Sequence, residues 1–141
     1  RSHCDWSSDV CSSDLDEAWR WKHRVGGAMR QAGIIAAAGS WALANHVERL
    51  AEDHDNARQF AKRVSEIPGV HLVNEDVQTN LIFFDVSGSQ LPAQDISARL
   101  REQGVWIGAI DNERMRAVTH LDVSRDDVNE AADRLADVIN G

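Results

Sequence analysis

The sequence predicts an α+β fold in which a small, mostly antiparallel sheet carries helices on one face and follows a long helical region. The first observation is a change of period, since apolar residues recur every three or four positions up to Ile67 and in short alternating runs after Pro68-Gly69. The second is the order of elements, which runs long helix, two strands, helix, two strands, helix with short connections. No strand is followed by G-x-G-x-x-G, which excludes a doubly wound nucleotide-binding fold.

The first half of the chain is predicted to be helical. Residues 17–22 fit the end of a helix that Gly26-Gly27 breaks, and a longer helical region follows from about Met29 to Ile67. Its first part, GIIAAAGSWALA, is apolar nearly all round, which predicts burial on several sides or a subunit interface. Its second part has one apolar face. Asn45 and Glu48 resemble a capping pair, so the region is predicted to be two helices joined near Asn45.

The second half alternates strands and helices. Strands are predicted at 70–73, 80–86, 105–110 and 115–120, and the strand at 80–86 is apolar on both faces, as in a strand buried on both sides. A helix over 93–103 should stop at Gly104. The last helix should begin at Ser124, with Asp127 in its first turn, and run to about residue 139.

Composition excludes several classes of protein. The chain has 141 residues, 43% hydrophobic and 27% charged, with a net charge of -8, which is typical of a soluble globular domain. Nucleic acid and anionic membranes are poor partners for an acidic chain. No apolar run approaches the roughly 20 residues of a membrane span. We therefore expect a cytoplasmic protein.

The first fifteen residues differ from the rest. Residues 5–15, DWSSDVCSSDL, look like the translation of a sequencing adapter, although a disordered tail or an expression scar would have a similar composition. We expect residues 1–15 to be disordered and without function. Cys4 and Cys11 both lie there, so the body has no cysteine for a disulfide scaffold, a Cys-based zinc site or nucleophilic catalysis.

Two arginines stand out in the body. Arg116 lies inside an apolar strand, where a charge needs either an acid such as Asp122 or Asp85 or an anionic ligand. Arg30 follows two glycines at the expected start of a helix, where it could make a structural ion pair or bind phosphate or carboxylate. The histidines lack the spacing of a metal site, so no metal is predicted.

Four segments together resemble one family. GGAMRQAGIIAAAG (26–39), RLAEDHDNA (49–57), QTNLIFFDV (78–86) and RAVTHLDVS (116–124) are similar to the C-terminal part of low-specificity L-threonine aldolases. These are pyridoxal 5'-phosphate lyases of fold type I, the aspartate-aminotransferase fold, related to aromatic amino-acid β-eliminating lyases. The resemblance implies retro-aldol cleavage of L-threonine or L-allo-threonine to glycine and acetaldehyde, with the cofactor as the electron sink.

The resemblance also implies roles and an absence. Arg116 matches the position that holds the substrate carboxylate, Arg30 matches an arginine that reaches the cofactor phosphate, and His23 falls where relatives often have a basic residue near that phosphate. The Schiff-base lysine of the family lies upstream, so no catalytic residue is assigned and the chain alone is predicted to be inactive. Residues 16–67 would be the end of the large domain with its connecting helices, and residues 68–141 the small domain of a homo-oligomer, dimer or tetramer.

Two other hypotheses remain open on the sequence. A fold-type-I enzyme with another amino-acid substrate, such as a β-eliminating lyase or an aminotransferase, would also use Arg116, since all bind an α-carboxylate. A module that only assembles would show no carboxylate binding that depends on Arg116.

Overall fold

A computed structural model of the protein describes residues 12–141 and divides the chain into two compact units between Ala44 and Asn45. The described part of the first unit contains helices α1 (Ser12–Arg24) and α2 (Gly33–Asn45, whose last residue crosses the division). The second unit contains helices α3 (Leu50–Ser65), α4 (Ala93–Glu102) and α5 (Arg125–Asn140) and strands β1 (His71–Leu72), β2 (Leu81–Asp85), β3 (Gly108–Ala109) and β4 (Arg114–Val118). This element order confirms the α+β prediction.

The predicted helix around residues 17–22 is α1. It ends at Gly26, whose φ of +80° is the left-handed conformation that favours glycine, and the Gly27 N–H donates to the Lys22 carbonyl at 2.8 Å. The adapter-like tail predicted for residues 1–15 lies outside the described residues up to residue 11, whereas residues 12–15 form the start of α1.

The predicted break near Asn45 is confirmed, but its capping mechanism is wrong. Asn45 is the last residue of α2, and the N-cap position of α3 is Arg49, which makes no side-chain cap hydrogen bond. Helix α2 has no buried residue, and Ile34 and Leu43 are 86% and 75% exposed. Its apolar surface is therefore exposed in the described part of the chain, and its burial in a larger body or at a subunit interface stays a prediction.

The four strands form one antiparallel sheet in the order β1-β2-β4-β3. Its inner face contributes Ile82, Phe84, Met115 and Ala117 to a core shared with α3, α4 and α5. Helix α3 packs against α5 and the sheet, so it belongs to the same compact unit as the strands even though it precedes residue 68. Its buried face begins at Asp53. Val47 and Leu50, which precede it at the helical spacing of the apolar face, are about half exposed.

Burial of β2 on both faces, predicted from its apolar sequence, is wrong. Burial alternates along the strand, with Ile82 and Phe84 inside and Leu81 42% exposed on the outer face. The predicted strand at 105–110 is shortened to β3, because the Val105 N–H is taken by the Leu100 carbonyl in a turn that Gly104, at φ +84°, allows at the end of α4.

The last helix begins as predicted. The Asp127 N–H donates to Ser124 Oγ at 3.2 Å, and the Ser124 N–H donates back to Asp127 Oδ2 at 2.9 Å, which completes a capping box. The Ser124 hydroxyl, which donates to Asp127 Oδ2 at 2.7 Å, and then the Ser124 N–H lower the pKa of Asp127. Among the helices described, none is long and apolar enough to cross a membrane.

Candidate functional site

Arg116 lies at the centre of the outer face of the sheet. On β4, Met115 and Ala117 point into the core and Arg116 points outward, as the alternation of the sequence predicts. In the sheet register Arg116 is paired with Phe83 of β2 on one side and with Gly108 of β3 on the other. A β-carbon built on Gly108 would meet only the Arg116 carbonyl, at 3.9 Å, so the surface on that side of Arg116 is open.

Neither acid suggested by the sequence pairs with Arg116. Asp85 lies opposite Arg114 in the register and accepts a hydrogen bond from the Ser87 N–H at 2.8 Å, while Asp122 lies 3.7 Å from His120 Nδ1. Within the part of the chain that the structure describes, no side-chain hydrogen bond or ion pair engages the Arg116 guanidinium. The structural ion-pair interpretation of Arg116 is therefore wrong.

Arg114, the other arginine on this face of β4, is fully engaged. Its Nε donates to Asp111 Oδ2 at 2.7 Å, and Asp111 also accepts from the N–H groups of Glu113 and Arg114. The Arg114 side chain, followed by these two N–H groups, lowers the pKa of Asp111, and Asp111 in turn raises the pKa of Arg114. Arg114 and Arg116 thus lie two residues apart on one strand. Arg114 holds the β3–β4 turn through Asp111, whereas Arg116 has no side-chain partner among the described residues and is available for a ligand.

The end of β4 is held by hydrogen bonds that the sequence did not indicate. The Thr119 N–H donates to the Asn80 carbonyl at 3.0 Å, and Asn80 Nδ2 donates to the Thr119 carbonyl at 2.8 Å. The Thr119 hydroxyl, on the buried face, donates to the Asp53 carbonyl of α3 at 2.6 Å. Asn56 Nδ2 of the same helix donates to the Val123 carbonyl at 3.2 Å. Only the segments THLDVS and RLAEDHDNA, taken together, could have suggested this contact.

A cleft of about 420 Å³ opens between the end of β4, the loop after α4 and the first half of α5. Its polar lining is engaged in structural contacts, since Asp127 caps α5 and Arg134 binds both Glu130 and the Gln103 carbonyl. Arg116 does not line it. His120 and Asp122 also line the cleft; both are exposed, and His120 Nδ1 lies 3.7 Å from Asp122 Oδ2 and accepts from the Asp122 N–H at 3.3 Å.

His23 and Arg30 lie in the first unit. The His23 Nδ1–H donates to the Trp19 carbonyl at 2.9 Å, and its ring centre lies 4.8 Å from that of Trp19. Lys22 lies over the same Trp19 ring, 4.7 Å from its centre. These groups occupy the last turn of α1, where the helix dipole favours cations.

Arg30 lies in the turn that leads into α2 and is exposed. Among the residues described, it has no side-chain partner, so the structural ion-pair interpretation fails here as well. The first turn of α2 contains no acid that would compete for an anion at its N–H groups. The anion-binding role of Arg30 therefore stays a prediction.

The two lysines of the chain do not lie in an enclosed site. Lys22 packs on Trp19, and Lys62 is exposed on α3. No group of three histidine, cysteine or acidic side chains that could hold a metal ion occurs in the described range, residues 12–141.

Comparison with known proteins agrees with this architecture. The low-specificity L-threonine aldolases of Escherichia coli O157:H7 and K12 are each 42% identical to this chain over 118 residues, which cover 84% of the chain and 33% of each relative. The chain thus spans about a third of the length of these curated relatives. The 42% sequence identity to these relatives confirms the resemblance seen in the four sequence segments.

Solved structures share the fold. A variant of the cystine C–S lyase C-DES, with glycine covalently linked to its pyridoxal-phosphate cofactor, matches with a TM-score of 0.58 and 27% identity over 64% of this chain and 24% of its own. A putative aromatic amino acid beta-eliminating lyase/threonine aldolase from Exiguobacterium sp. 255-15 matches with a TM-score of 0.62 and 19% identity, over 90% of this chain and 38% of its own. The second match supports the fold alone.

The family model described as beta-eliminating lyase matches residues 9–87, which is more than half of the chain. The match begins inside the adapter-like stretch and includes α1, α2, α3 and the first two strands. The chain belongs to the beta-eliminating lyase family.

Proposed function

We propose that the protein to which this chain belongs is a pyridoxal-phosphate-dependent lyase that cleaves L-threonine or L-allo-threonine to glycine and acetaldehyde. The single observation that carries the proposal is the unpaired Arg116 at the centre of an open sheet face, in a chain 42% identical to threonine aldolases. The cofactor supplies an electron sink for the carbanion left when the Cα–Cβ bond of the substrate breaks.

Arg116 binds the α-carboxylate of the amino acid in this proposal. A guanidinium presents two parallel N–H donors to a carboxylate, and the absence of a protein partner leaves both available. Gly108 leaves space beside it, and Phe83 gives an apolar neighbour on the other side. A fixed carboxylate holds the substrate so that the scissile bond keeps one orientation, which is how positioning accelerates a reaction.

Arg30 and His23 are proposed to contact the cofactor phosphate. Arg30 suits this role, because it has no side-chain partner among residues 12–141 and precedes the N–H groups at the start of α2. His23 suits it less well, because it lies at the carboxyl end of α1, where the dipole disfavours an anion. We therefore expect the loss of Arg30 to weaken cofactor affinity more than the loss of His23.

The rest of the active site lies outside this chain in the proposal. Neither Lys22 nor Lys62 is placed to carry the cofactor, so the 141-residue chain is proposed to be inactive by itself. Residues 16–67 would complete the large domain and connect it to a small domain at 68–141, against whose strands and last helix the connecting helix α3 packs. The exposed apolar surface of α2 is consistent with a homo-oligomer in which a neighbouring subunit covers it.

The test is the replacement of Arg116 by Ala in the full-length protein loaded with pyridoxal phosphate. We expect kcat/KM for threonine to fall by about 100-fold, since a charged hydrogen-bonding pair is worth about 1.5–3 kcal/mol. Arg114→Ala is the matched control, because it removes the same charge from the same face of the same strand but breaks only the contact with Asp111. Equal effects of the two substitutions would contradict the proposal.

A second candidate is cleavage of a C–S bond, which the 27% identity to the C–S lyase structure favours. Arg116 would serve that reaction equally, because the substrate again carries an α-carboxylate. Parallel assays of acetaldehyde release from threonine and of C–S cleavage of cystine distinguish the two. A kcat/KM higher for cystine than for either threonine isomer would replace the aldolase proposal.

A further inference from the structure

We propose that Thr119 is a positioning residue for Arg116, acting through the strand-end clamp formed by Thr119, Asn80 and the Asp53 carbonyl. The inference rests on the proposed role of Arg116 in binding the substrate carboxylate. It adds residues that never touch the substrate, because Thr119 is 4% exposed and faces the core.

The clamp ties β4 to two different layers of the fold. Within the sheet, Asn80 bonds both backbone groups of Thr119, one through its own carbonyl and one through its side-chain amide, at 3.0 and 2.8 Å. Across the core, the Thr119 hydroxyl bonds the Asp53 carbonyl at 2.6 Å. A second hydrogen bond from α3, from Asn56 Nδ2 to the Val123 carbonyl, holds the segment that follows, so among the hydrogen bonds described the Thr119 hydroxyl makes the link to α3 that lies nearest to Arg116.

Arg116 lies three residues before this link, about 10 Å along an extended strand. Pairing with β2 and β3 fixes the position of the Arg116 backbone within the plane of the sheet. They do not fix the distance of the strand end from the helix layer, since ladder hydrogen bonds lie in the plane of the sheet. Core packing of Met115 and Ala117 sets that distance along the strand, and the Thr119 hydroxyl adds a directional restraint at its end.

The neighbouring arginine has a side-chain restraint that Arg116 lacks among the described residues. Arg114 is oriented by its contacts with Asp111, whereas no side chain in the described range orients Arg116. A guanidinium without a partner loses rotamer freedom when it binds a carboxylate, and a fixed backbone limits how much further freedom is lost. A change in the clamp should therefore weaken carboxylate binding in particular.

The test is a double-mutant cycle in the full-length protein loaded with pyridoxal phosphate. Thr119→Val removes the hydroxyl and keeps the shape of the side chain, and Thr119→Ser keeps the hydroxyl. Each is combined with Arg116→Ala. The measured quantities are the dissociation constants of glycine, which has a carboxylate, and of 2-aminoethanol, which has none, together with KM and kcat for threonine.

We expect Thr119→Val to weaken glycine binding about fivefold to tenfold, to leave 2-aminoethanol binding within about twofold, and to have almost no effect on glycine binding once Arg116 is alanine. Thr119→Ser should bind glycine as the unchanged protein does. Thr119→Ala, which removes the same hydroxyl with a smaller side chain, gives a second variant with the same expected pattern if Thr119→Val folds poorly.

Ser97→Ala is the matched control. It removes a hydroxyl that donates to the Ile107 carbonyl at 2.6 Å and so joins α4 to the residue before β3, a link of the same kind to a strand without Arg116. Glycine affinity should not change in it. Equal weakening of both ligands by Thr119→Val, or additive effects with Arg116→Ala, would reduce Thr119 to a structural residue and overturn the inference. If Arg116→Ala itself leaves glycine affinity unchanged, the proposed function fails instead.

Discussion

Replacement of Arg116 should leave the stability of the protein unchanged, although the residue is a charge in a central strand. The perturbation is Arg116→Thr, since threonine has a good strand propensity and adds no charge. Arg116 is exposed and makes no side-chain hydrogen bond or ion pair within the described residues, so its removal creates no cavity and leaves no buried group unpaired. Surface substitutions of this kind change the free energy of unfolding by about 0.5 kcal/mol or less.

Met115 provides the contrasting perturbation one position away. Its side chain is 0% exposed and packs in the core shared with the helices, so Met115→Ala removes buried apolar atoms and leaves a cavity. Substitutions of this type cost about 2–5 kcal/mol. For a unit of the size of residues 45–141, 1 kcal/mol corresponds to about 4–8 °C in Tm, so a difference of at least about 1.5 kcal/mol between the two variants corresponds to at least about 6 °C.

The assay is denaturant and thermal unfolding of the 141-residue chain, followed by circular dichroism, for the unchanged protein, Arg116→Thr and Met115→Ala. If Arg116 serves binding and not stability, Arg116→Thr unfolds at the same denaturant concentration and temperature as the unchanged protein. Met115→Ala then unfolds at a clearly lower denaturant concentration and temperature. A loss of more than about 2 kcal/mol in Arg116→Thr would refute the reasoning, because it would show that the guanidinium stabilises the fold through a contact.

Three further outcomes are expected. Gly88→Ala should be destabilising by circular dichroism melting, because its β-carbon would lie 2.5 Å from the Gly69 Cα, whereas Gly104→Ala adds mainly left-handed strain of about 1–2 kcal/mol, its nearest described neighbour being a flexible arginine tip at 3.7 Å. Ser124 lowers the pKa of Asp127 in the folded protein. The capping box should therefore stabilise α5 fully above the pKa of the unfolded chain, near 3.9, and lose this effect as the pH falls through the folded pKa. Asp127→Asn should accordingly flatten the acid unfolding curve below about pH 3.9. The 141-residue chain with added pyridoxal phosphate should release no acetaldehyde from threonine, and measurable release would show that its own lysines suffice.

Local signals predicted the ends of the elements well where one residue determines the backbone. Gly26 and Gly104 both adopt the left-handed conformation at which their helices end, and Ser124 with Asp127 forms the capping box. The predictions failed where a neighbour competes for the same backbone group. Val105 was predicted to begin a strand, but its N–H completes the end of α4, and no pattern of side chains reports that competition.

For the candidate site, the sequence predicted which residue is unusual but not what surrounds it. Alternation placed Arg116 on the face opposite Met115 and Ala117, and this is confirmed. The choice between an acid partner and a ligand needed the register, which sets Phe83 and Gly108 beside Arg116 and moves Asp85 next to Arg114. The clamp at Thr119 joins residues 53, 80 and 119, and such long-range hydrogen bonds have no local signature.

Two apolar surfaces are less buried in this chain than their composition indicates. Helix α2 and the outer face of β2 both have the apolar composition of buried elements, yet Ile34 is 86% exposed and Leu81 42% exposed. An apolar surface can be buried by the same unit, by more of the same chain or by another subunit, and the sequence pattern does not distinguish these. The chain spans about a third of the length of its curated relatives, so a pattern can indicate more burial than these residues provide.

On the outer face, the uncovered apolar side chains of Leu81 and Val118 form a pair next to the Phe83–Arg116 pair. A charge that is unpaired beside such a surface would be costly to cover without an anion, so whatever covers this face must also bring or admit a partner for Arg116.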